Sequence, residues 1–147
     1  MKTTVRVSRP LALAAASLAL ALPLISATAA EKRCLVVHVP QDDPKSMVQA
    51  LNIVSNVPRE LGVDNVDVEL VAQGPGLKLL TASSTQAKRV ESLAMSGVTF
   101  SACGNTMAAI KRKTGNEPVL LKGVGRVKAG IIRVMELQEK GCSYARP

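Results

Sequence analysis

Three cysteines and one histidine are the side chains of this sequence best suited to nucleophilic or acid–base chemistry. They are Cys34, Cys103, Cys142 and His38. Well-separated cysteines and a lone histidine give no recognised metal-ligand spacing. The sequence also has no Gly-x-Ser-x-Gly nucleophile elbow, dinucleotide fingerprint or P-loop. We therefore expect neither a metal nor a cofactor. Residue counts alone leave a Ser-His-Asp triad open, and a reactive thiol is the candidate that we favour.

Cys103 is the strongest candidate for a reactive thiol. It ends a run of strand-forming residues and stands just before a predicted helix, with Asn105 or Thr106 as the N-cap. Unpaired N–H groups and the dipole at a helix N-terminus stabilise negative charge. They would lower the thiol pKa and favour the nucleophilic thiolate, and Gly104 would leave the sulfur uncrowded. A buried cysteine that only packs is the alternative.

Two further places follow strands in the same way. His38 ends the first predicted strand, where it could act as an acid, a base or an anion ligand; a histidine that only packs is the alternative. Gly74-Pro75-Gly76 follows the second strand and would shape a pocket, with plain turn chemistry as the alternative. The cations at 111–113 would add positive potential near Cys103.

Strands and helices alternate along the chain after residue 34. The predicted strands are 35–39, 66–72, 98–103, 124–127 and 142–145. The predicted helices are 44–61, a short turn at 77–80, one from Ser83 or Ser84 to 95, 106–113 and 129–140. Pro58 should kink or break the first helix near its end. This alternation predicts a parallel sheet covered on both faces, with ligands at the carboxyl ends of the strands.

The first 30 residues read as an export signal. A basic stretch with Lys2, Arg6 and Arg9 precedes an apolar run over 11–25, and Ala27-Thr28-Ala29 supplies the small residues of a cleavage site. We expect cleavage near residue 30, a periplasmic protein and one domain over 31–147, with no membrane contact afterwards. An uncleaved anchor is the alternative, because 11–30 is barely long enough to span a bilayer.

The composition argues against nucleic-acid binding. The formal net charge is +8, and it is +5 without the three basic residues of the signal. Single-strand binders stack bases on aromatic rings, but this chain has only Phe100 and Tyr144. An anionic partner would suit the basic excess, and a solvated basic face is the alternative.

The sequence resembles the DsrE/DsrF-like family of small sulfur-metabolism proteins. The resemblance covers about 35–147 and rests on four segments, which are 36–39, 71–80, 97–106 and 136–141 with a tyrosine in the tail after them. It implies a three-layer α/β/α fold with five parallel strands. It also implies a homo-oligomer, often a trimer or a pair of trimers, and a persulfide carried on the cysteine that ends the third strand, here Cys103.

The strand order of that family places the last strand beside the first. The resemblance thereby implies that Cys34 and Cys142 meet at one edge of the sheet and can form a disulfide, leaving Cys103 as the odd thiol. We therefore expect a periplasmic sulfur-handling protein with a persulfide on Cys103, whose donor and acceptor the sequence does not name. A non-catalytic small-ligand-binding module and a structural subunit of an oligomer are the alternatives.

Overall fold

A five-stranded, all-parallel sheet forms the centre of the computed structural model, which describes residues 32–147. The export signal expected over 1–30 lies outside the described residues. Along the chain the elements are β1 (Arg33–Val39), α1 (Pro44–Leu61), β2 (Val66–Ala72), a 3₁₀ helix (Gly74–Leu80), α2 (Ala87–Met95), β3 (Thr99–Cys103), α3 (Gly104–Thr114), β4 (Val124–Val127), α4 (Gly130–Glu139) and β5 (Ser143–Ala145). The predicted α/β fold with five parallel strands is confirmed.

The strand order β4-β3-β2-β1-β5 decides which helix covers which face. The chain steps in one direction from β1 to β4 and then returns across the sheet to β5. Because parallel crossovers are right-handed, the first three crossovers put α1, α2 and α3 on one face, and the return puts α4 on the other. The result is the expected three-layer α/β/α arrangement.

The main core lies on the face covered by α1, α2 and α3. Alternate residues of the central strands point into it, among them Val37, Leu70 and Phe100, each at most 1% exposed. The helices contribute Leu51, Val54, Leu79, Leu80, Val90 and Met107. Burial of these apolar side chains is the main force that holds the three helices to the sheet.

The opposite face carries a much smaller apolar cluster. It consists of Val36, Val71, Val134, Leu137 and Cys142, with Cys34 packed against it. One helix of ten residues, α4, lies over this face. The central strands therefore carry polar side chains and cysteines on this face of the sheet, whereas their side chains on the other face are apolar.

The predicted bounds of the first helix, 44–61, are confirmed without a break at Pro58, whereas two other predicted helix starts are wrong. Helix α1 continues through Pro58 to Leu61, because the ring removes one donor while the Gly62 N–H still closes the last turn on the Pro58 carbonyl at 2.9 Å. Helix α2 begins at Ala87 rather than near Ser84, whose hydroxyl accepts the Gln86 N–H within the preceding turn. Helix α3 begins at Gly104 and is considered with the site below.

Within residues 32–147, no helix has both the length and the apolar character needed to cross a membrane.

Candidate functional site

Cys103 lies at the point where strand β3 passes into helix α3 without a loop. The cysteine pairs with Val127 of β4 and is itself the N-cap of α3, so the expected N-cap at Asn105 or Thr106 is wrong. The direct entry depends on Gly104, because a Cβ there would lie 2.8 Å from the Val127 carbonyl oxygen. The helix therefore starts at Gly104, directly after the sulfur-bearing residue and two positions earlier than expected.

Burial and four nearby donor groups act in opposite directions on the pKa of the Cys103 thiol. Burial raises the pKa of the thiol, but hydrogen bonds from the Thr106 hydroxyl and from the backbone N–H groups of Gly130, Thr106 and Asn105 outweigh it, and the pKa falls below its usual range. The Asn105 N–H also donates to the Lys128 carbonyl at 3.1 Å, which accords with its contribution being the smallest. The site favours the thiolate.

Two helix N-termini, not one, meet at this sulfur. Thr106 belongs to the first turn of α3, and Gly130 is the first residue of α4. A Cβ on Gly130 would lie 2.8 Å from Gln73 Oε1 and 3.2 Å from Cys103 Cβ, so only glycine lets this backbone approach so closely. The dipoles of both helices add to the stabilisation of negative charge on Cys103.

The sequence analysis did not single out Gly130, although one signal could have indicated it. A glycine in the first turn of a predicted helix, shortly after a predicted strand, is typical of a close approach between backbone and ligand. Gln73, the residue before Gly74, also lies against Gly130. No local pattern indicates this contact, because the two residues are far apart in the chain.

The cations at 111–113 do not act at the thiol. They lie in the last turn of α3, about 12 to 15 Å along the helix axis from Cys103 at 1.5 Å per residue. Lys111 is also within 3.9 Å of Glu117. The expected contribution of these cations to the potential at the sulfur is therefore wrong, and backbone dipoles take that role.

Cys103 is only 5% exposed, but a groove lies beside it. The groove has a volume of about 410 Å³ and runs along the N-terminal half of α4. It is lined by Asn105, Val127, Lys128, Ala129, Ile132 and Arg133, with Glu136 at its end. Because Asn105 is one of the groups that lower the thiol pKa and Ala129 adjoins Gly130, which is another, the groove opens beside the surroundings of the thiol.

His38 lies on the same face of the sheet but at a distance from the thiol. It pairs with Val71, which pairs with Ser101, and Cys103 is two residues further on. Strand spacing and rise put the Cα atoms of His38 and Cys103 about 12 Å apart. His38 is therefore too far to exchange a proton directly with the sulfur.

The surroundings of His38 are dry and basic. Its Nδ1 is 3.0 Å from the Tyr144 hydroxyl, and its buried Nε2 has no hydrogen-bond partner among the described residues. Burial, and secondly the charge of Arg146, lowers the pKa of His38. The imidazole is thus held neutral at pH 7.

Gly74, Pro75 and Gly76 form the start of the 3₁₀ helix rather than a separate turn. The Gly74 N–H donates to Thr106 Oγ1 at 2.9 Å, whereas Pro75 is exposed. Gly76 packs against the backbone of Val39, where a Cβ would lie 2.2 Å from the carbonyl oxygen. Of the three residues, Gly74 is the one linked to the thiol, through Thr106.

Cys34 and Cys142 are joined by a disulfide in the structure. Their Cα atoms are 4.6 Å apart, and the bridge connects the starts of β1 and β5, which pair in parallel. Cys103 is the free cysteine and lies at the opposite, carboxyl-terminal ends of the strands. This is the pairing that the family resemblance implied.

A buried carboxylate on the α4 face was not anticipated from the sequence. Glu69, in the middle of β2, is 7% exposed and accepts hydrogen bonds from Ser101 Oγ at 2.6 Å and from two nitrogens of Arg133. A charged residue between apolar neighbours in the middle of a strand is the signal that could have revealed it. Within residues 32–147, no group of three or more His, Cys, Asp or Glu side chains could hold a metal ion.

Comparisons with known proteins relate the chain to a solved structure. No family model matches the sequence, and no curated protein matches it. A solved structure of a protein of unknown function, MTH1491 from Methanobacterium thermoautotrophicum, is 30% identical and superimposes with a TM-score of 0.70. The match covers 79% of this chain and 100% of that one. The chain therefore belongs to the same family as the MTH1491 protein.

Proposed function

We propose that this protein is an exported sulfur-handling protein that carries a sulfane sulfur as a persulfide on Cys103. The observation that carries the proposal is the position of the Cys103 sulfur at two helix N-termini, with donors that lower the thiol pKa. The resemblance to the DsrE/DsrF-like family supports the same residue. The disulfide between Cys34 and Cys142 leaves Cys103 as the thiol able to react.

The loading step is a nucleophilic displacement at sulfur. The Cys103 thiolate attacks the outer sulfur of a donor persulfide, R–S–SH. The new S–S bond forms as the donor's S–S bond breaks, and R–S⁻ leaves with the electron pair. The step needs no external oxidant, and attack by an acceptor thiolate on the outer sulfur would reverse it and regenerate the Cys103 thiolate.

The same donors that favour the thiolate would also serve as the leaving-group site. When an acceptor takes the outer sulfur, negative charge returns to the Cys103 sulfur, where the Thr106 hydroxyl and the Gly130 N–H already point. A thiol with a low pKa leaves faster. The geometry therefore assists transfer in both directions, as a carrier requires.

The deciding experiment is intact mass spectrometry of the exported protein before and after incubation with a low-molecular-weight persulfide. Wild type should gain the mass of one sulfur atom, and a thiol reductant should remove it. Cys103→Ser should gain nothing, and the double variant Cys34→Ser/Cys142→Ser should still gain one sulfur at Cys103. Failure of the wild type to gain sulfur while its Cys103 remains reduced and alkylatable would refute the carrier.

A small-ligand-binding module is the second candidate, and the groove beside Cys103 is the observation that favours it. In that case the thiol only packs against the groove. Cys103→Ser would then leave ligand binding intact, whereas Ile132→Asp, which puts a charge on the groove wall, would weaken it. The two candidates thus give opposite results for the same cysteine variant.

The proposal extends to a homo-oligomer, a trimer or hexamer. Helix α4 presents Ile131, Ile132 and Met135 to solvent at 48%, 50% and 49% exposure, and burial against a second copy would remove this apolar surface from water. Light scattering after gel filtration would give the molar mass. Export is tested by N-terminal sequencing of the protein from the periplasm, which should begin near residue 31 and not at Met1.

A further inference from the structure

We propose that Glu69 and Arg133 are positioning residues that hold the first turn of α4, and with it the Gly130 N–H, on the Cys103 sulfur. Their role in a reaction rests on the function proposed above, whereas the geometry they impose on the thiol does not depend on it. Neither side chain is among the groups that lower the pKa of Cys103. Both act by fixing the position of helix α4.

The contact between the two side chains is a fork. Arg133 Nε and Nη2 donate to the two oxygens of Glu69 at 2.9 and 2.7 Å. Ser101 Oγ donates to Glu69 Oε1 at 2.6 Å and fixes the carboxylate from β3. A bidentate pair sets both the distance and the angle between its partners, so the position of Arg133 over the sheet is defined in two directions.

Arg133 is linked through one helical turn to Gly130, whose backbone approaches Cys103 so closely that a Cβ on Gly130 would lie 3.2 Å from Cys103 Cβ. The Arg133 N–H donates to the Ala129 carbonyl at 3.1 Å, which closes the first turn of α4 around Gly130. Any displacement of Arg133 along the sheet therefore displaces the Gly130 N–H by a similar amount. A hydrogen bond to sulfur weakens steeply with such displacement because it depends on distance and direction.

The apolar contacts of α4 do not fix its N-terminus by themselves. Its buried apolar residues are Val134 and Leu137, both C-terminal to Arg133, and they pack toward the disulfide edge of the sheet. The exposed Ile131 and Ile132 give the first turn no apolar anchor. The ion pair is therefore the side-chain contact between α4 and the sheet that lies nearest the first turn of the helix.

The test is the pH dependence of alkylation of the oxidised protein with iodoacetamide, since Cys103 is its free thiol. Glu69→Gln removes the carboxylate charge and weakens the fork. Arg133→Lys keeps the positive charge but cannot donate two parallel hydrogen bonds to the Glu69 carboxylate. If the pair positions α4, both variants should raise the pH of half-maximal alkylation by about half to one unit, because the Gly130 hydrogen bond to the thiolate is weakened.

The two variants separate positioning from a simple effect of charge. If the pair acted only through its field, Glu69→Gln would leave Arg133 uncompensated and lower the midpoint, and Arg133→Lys would leave it unchanged. Either result overturns the proposal. Asp42→Asn, which breaks the exposed ion pair with Lys78 (2.9 Å), is the matched control and should not move the midpoint.

The folding of each variant, its alkylation midpoint and its sulfur uptake are measured in separate experiments. Circular dichroism and urea unfolding establish that each variant is folded, and Arg133→Lys carries the test alone if Glu69→Gln does not fold. Alkylation requires no sulfur transfer, so a wild type that takes up no sulfur while both midpoints rise would refute only the carrier. A wild type that gains sulfur while both midpoints stay fixed would refute only the positioning role.

Discussion

The Gly74 N–H donates to Thr106 Oγ1 at 2.9 Å, and this contact joins the carboxyl end of β2 to the first turn of α3. A threonine hydroxyl has one proton to donate. Oγ1 accepts from the Gly74 N–H and keeps its own proton for another partner, and a hydrogen bond from this hydroxyl to Cys103 lowers the pKa of the thiol. Gly74 therefore acts on the Cys103 thiol through its hydrogen bond to the Thr106 hydroxyl.

Replacing Thr106 by valine should raise the pKa of Cys103. The substitution keeps the β-branched shape and removes the side-chain donor to the thiolate, which is the largest of the contributions that lower the pKa. A hydrogen bond to a charged group is worth about 1.5–3 kcal/mol, which corresponds to a rise of about one unit or more. The pH profile of iodoacetamide alkylation gives the pKa directly.

Thr106→Ser is the matched control, because it loses a methyl group and keeps the hydroxyl. Its alkylation profile should stay within a few tenths of a pH unit of the wild type. A serine variant shifted as far as the valine variant would show that packing, not the hydroxyl, sets the reactivity of Cys103.

Gly130→Ala should displace the start of α4 from the thiol. The new Cβ would meet Gln73 Oε1 at 2.8 Å and Cys103 Cβ at 3.2 Å, so the backbone must move away and its N–H with it. We expect slower alkylation of Cys103 at pH 7 and a midpoint raised by about half a unit or more, from the loss of one hydrogen bond to the thiolate.

Gly125→Ala provides the comparison for that variant. Gly125 lies on β4, and a Cβ there would make an ordinary contact at 3.6 Å with the Phe100 carbonyl oxygen. Its alkylation profile should match the wild type. If both alanine variants behave alike, the close approach at Gly130 does not control the thiol.

Features fixed by local chain chemistry could be predicted from the sequence. Asp43 caps α1 through its side chain, which accepts the Ser46 N–H at 2.7 Å, and strand β2 spans the expected residues. The position of Cys103 at the carboxyl end of β3 follows from the same alternation of strand and helix. These features depend on propensity and on the order of neighbouring elements.

The remaining parts of the site depend on contacts between distant segments. Gly130 lies against Cys103 because β4 pairs with β3 and ends beside Cys103. Arg133 contacts Glu69 because α4 packs over the face of the sheet to which Glu69 points. No period or motif in one stretch of sequence encodes such a meeting. The α3 boundary was misplaced for a related reason, since Gly104 starts the helix early against the β4 backbone.

The disulfide should contribute measurably to stability. It joins Cys34 to Cys142, which are 108 positions apart, and strand β5 pairs through only three residues with β1. Closing so long a loop stabilises a protein by roughly 2–5 kcal/mol. We expect Cys34→Ala/Cys142→Ala to lower the free energy of unfolding by about that amount in a urea titration.

Reductant offers an independent check on the bridge. A thiol-free reductant such as a phosphine should destabilise wild type and Cys103→Ala alike, and should leave the double variant unchanged. Equal urea midpoints for wild type with and without reductant would contradict a stabilising disulfide.

His38 should titrate below the usual range for a histidine. Burial is the larger cause and the charge of Arg146 the smaller, and both disfavour the imidazolium. The sequence has one histidine, so a single Cε1–H resonance reports its pKa in a proton NMR titration. Arg146→Ala should raise this pKa only part of the way toward about 6.5, because burial remains. Lys140→Ala removes a cation near the opposite edge and should leave it unchanged.

The lowered pKa of His38 also predicts how stability depends on pH. As pH falls below about 6.5, the unfolded chain binds a proton at this residue before the folded protein does. The stabilising contribution is therefore fully present above the unfolded pKa and is lost as pH falls through the folded pKa. His38→Gln should remove this part of the slope in urea unfolding measured from pH 7.5 downward. An unchanged slope in that variant, or a His38 resonance that titrates above 6.5, would contradict a buried imidazole held neutral beside Tyr144.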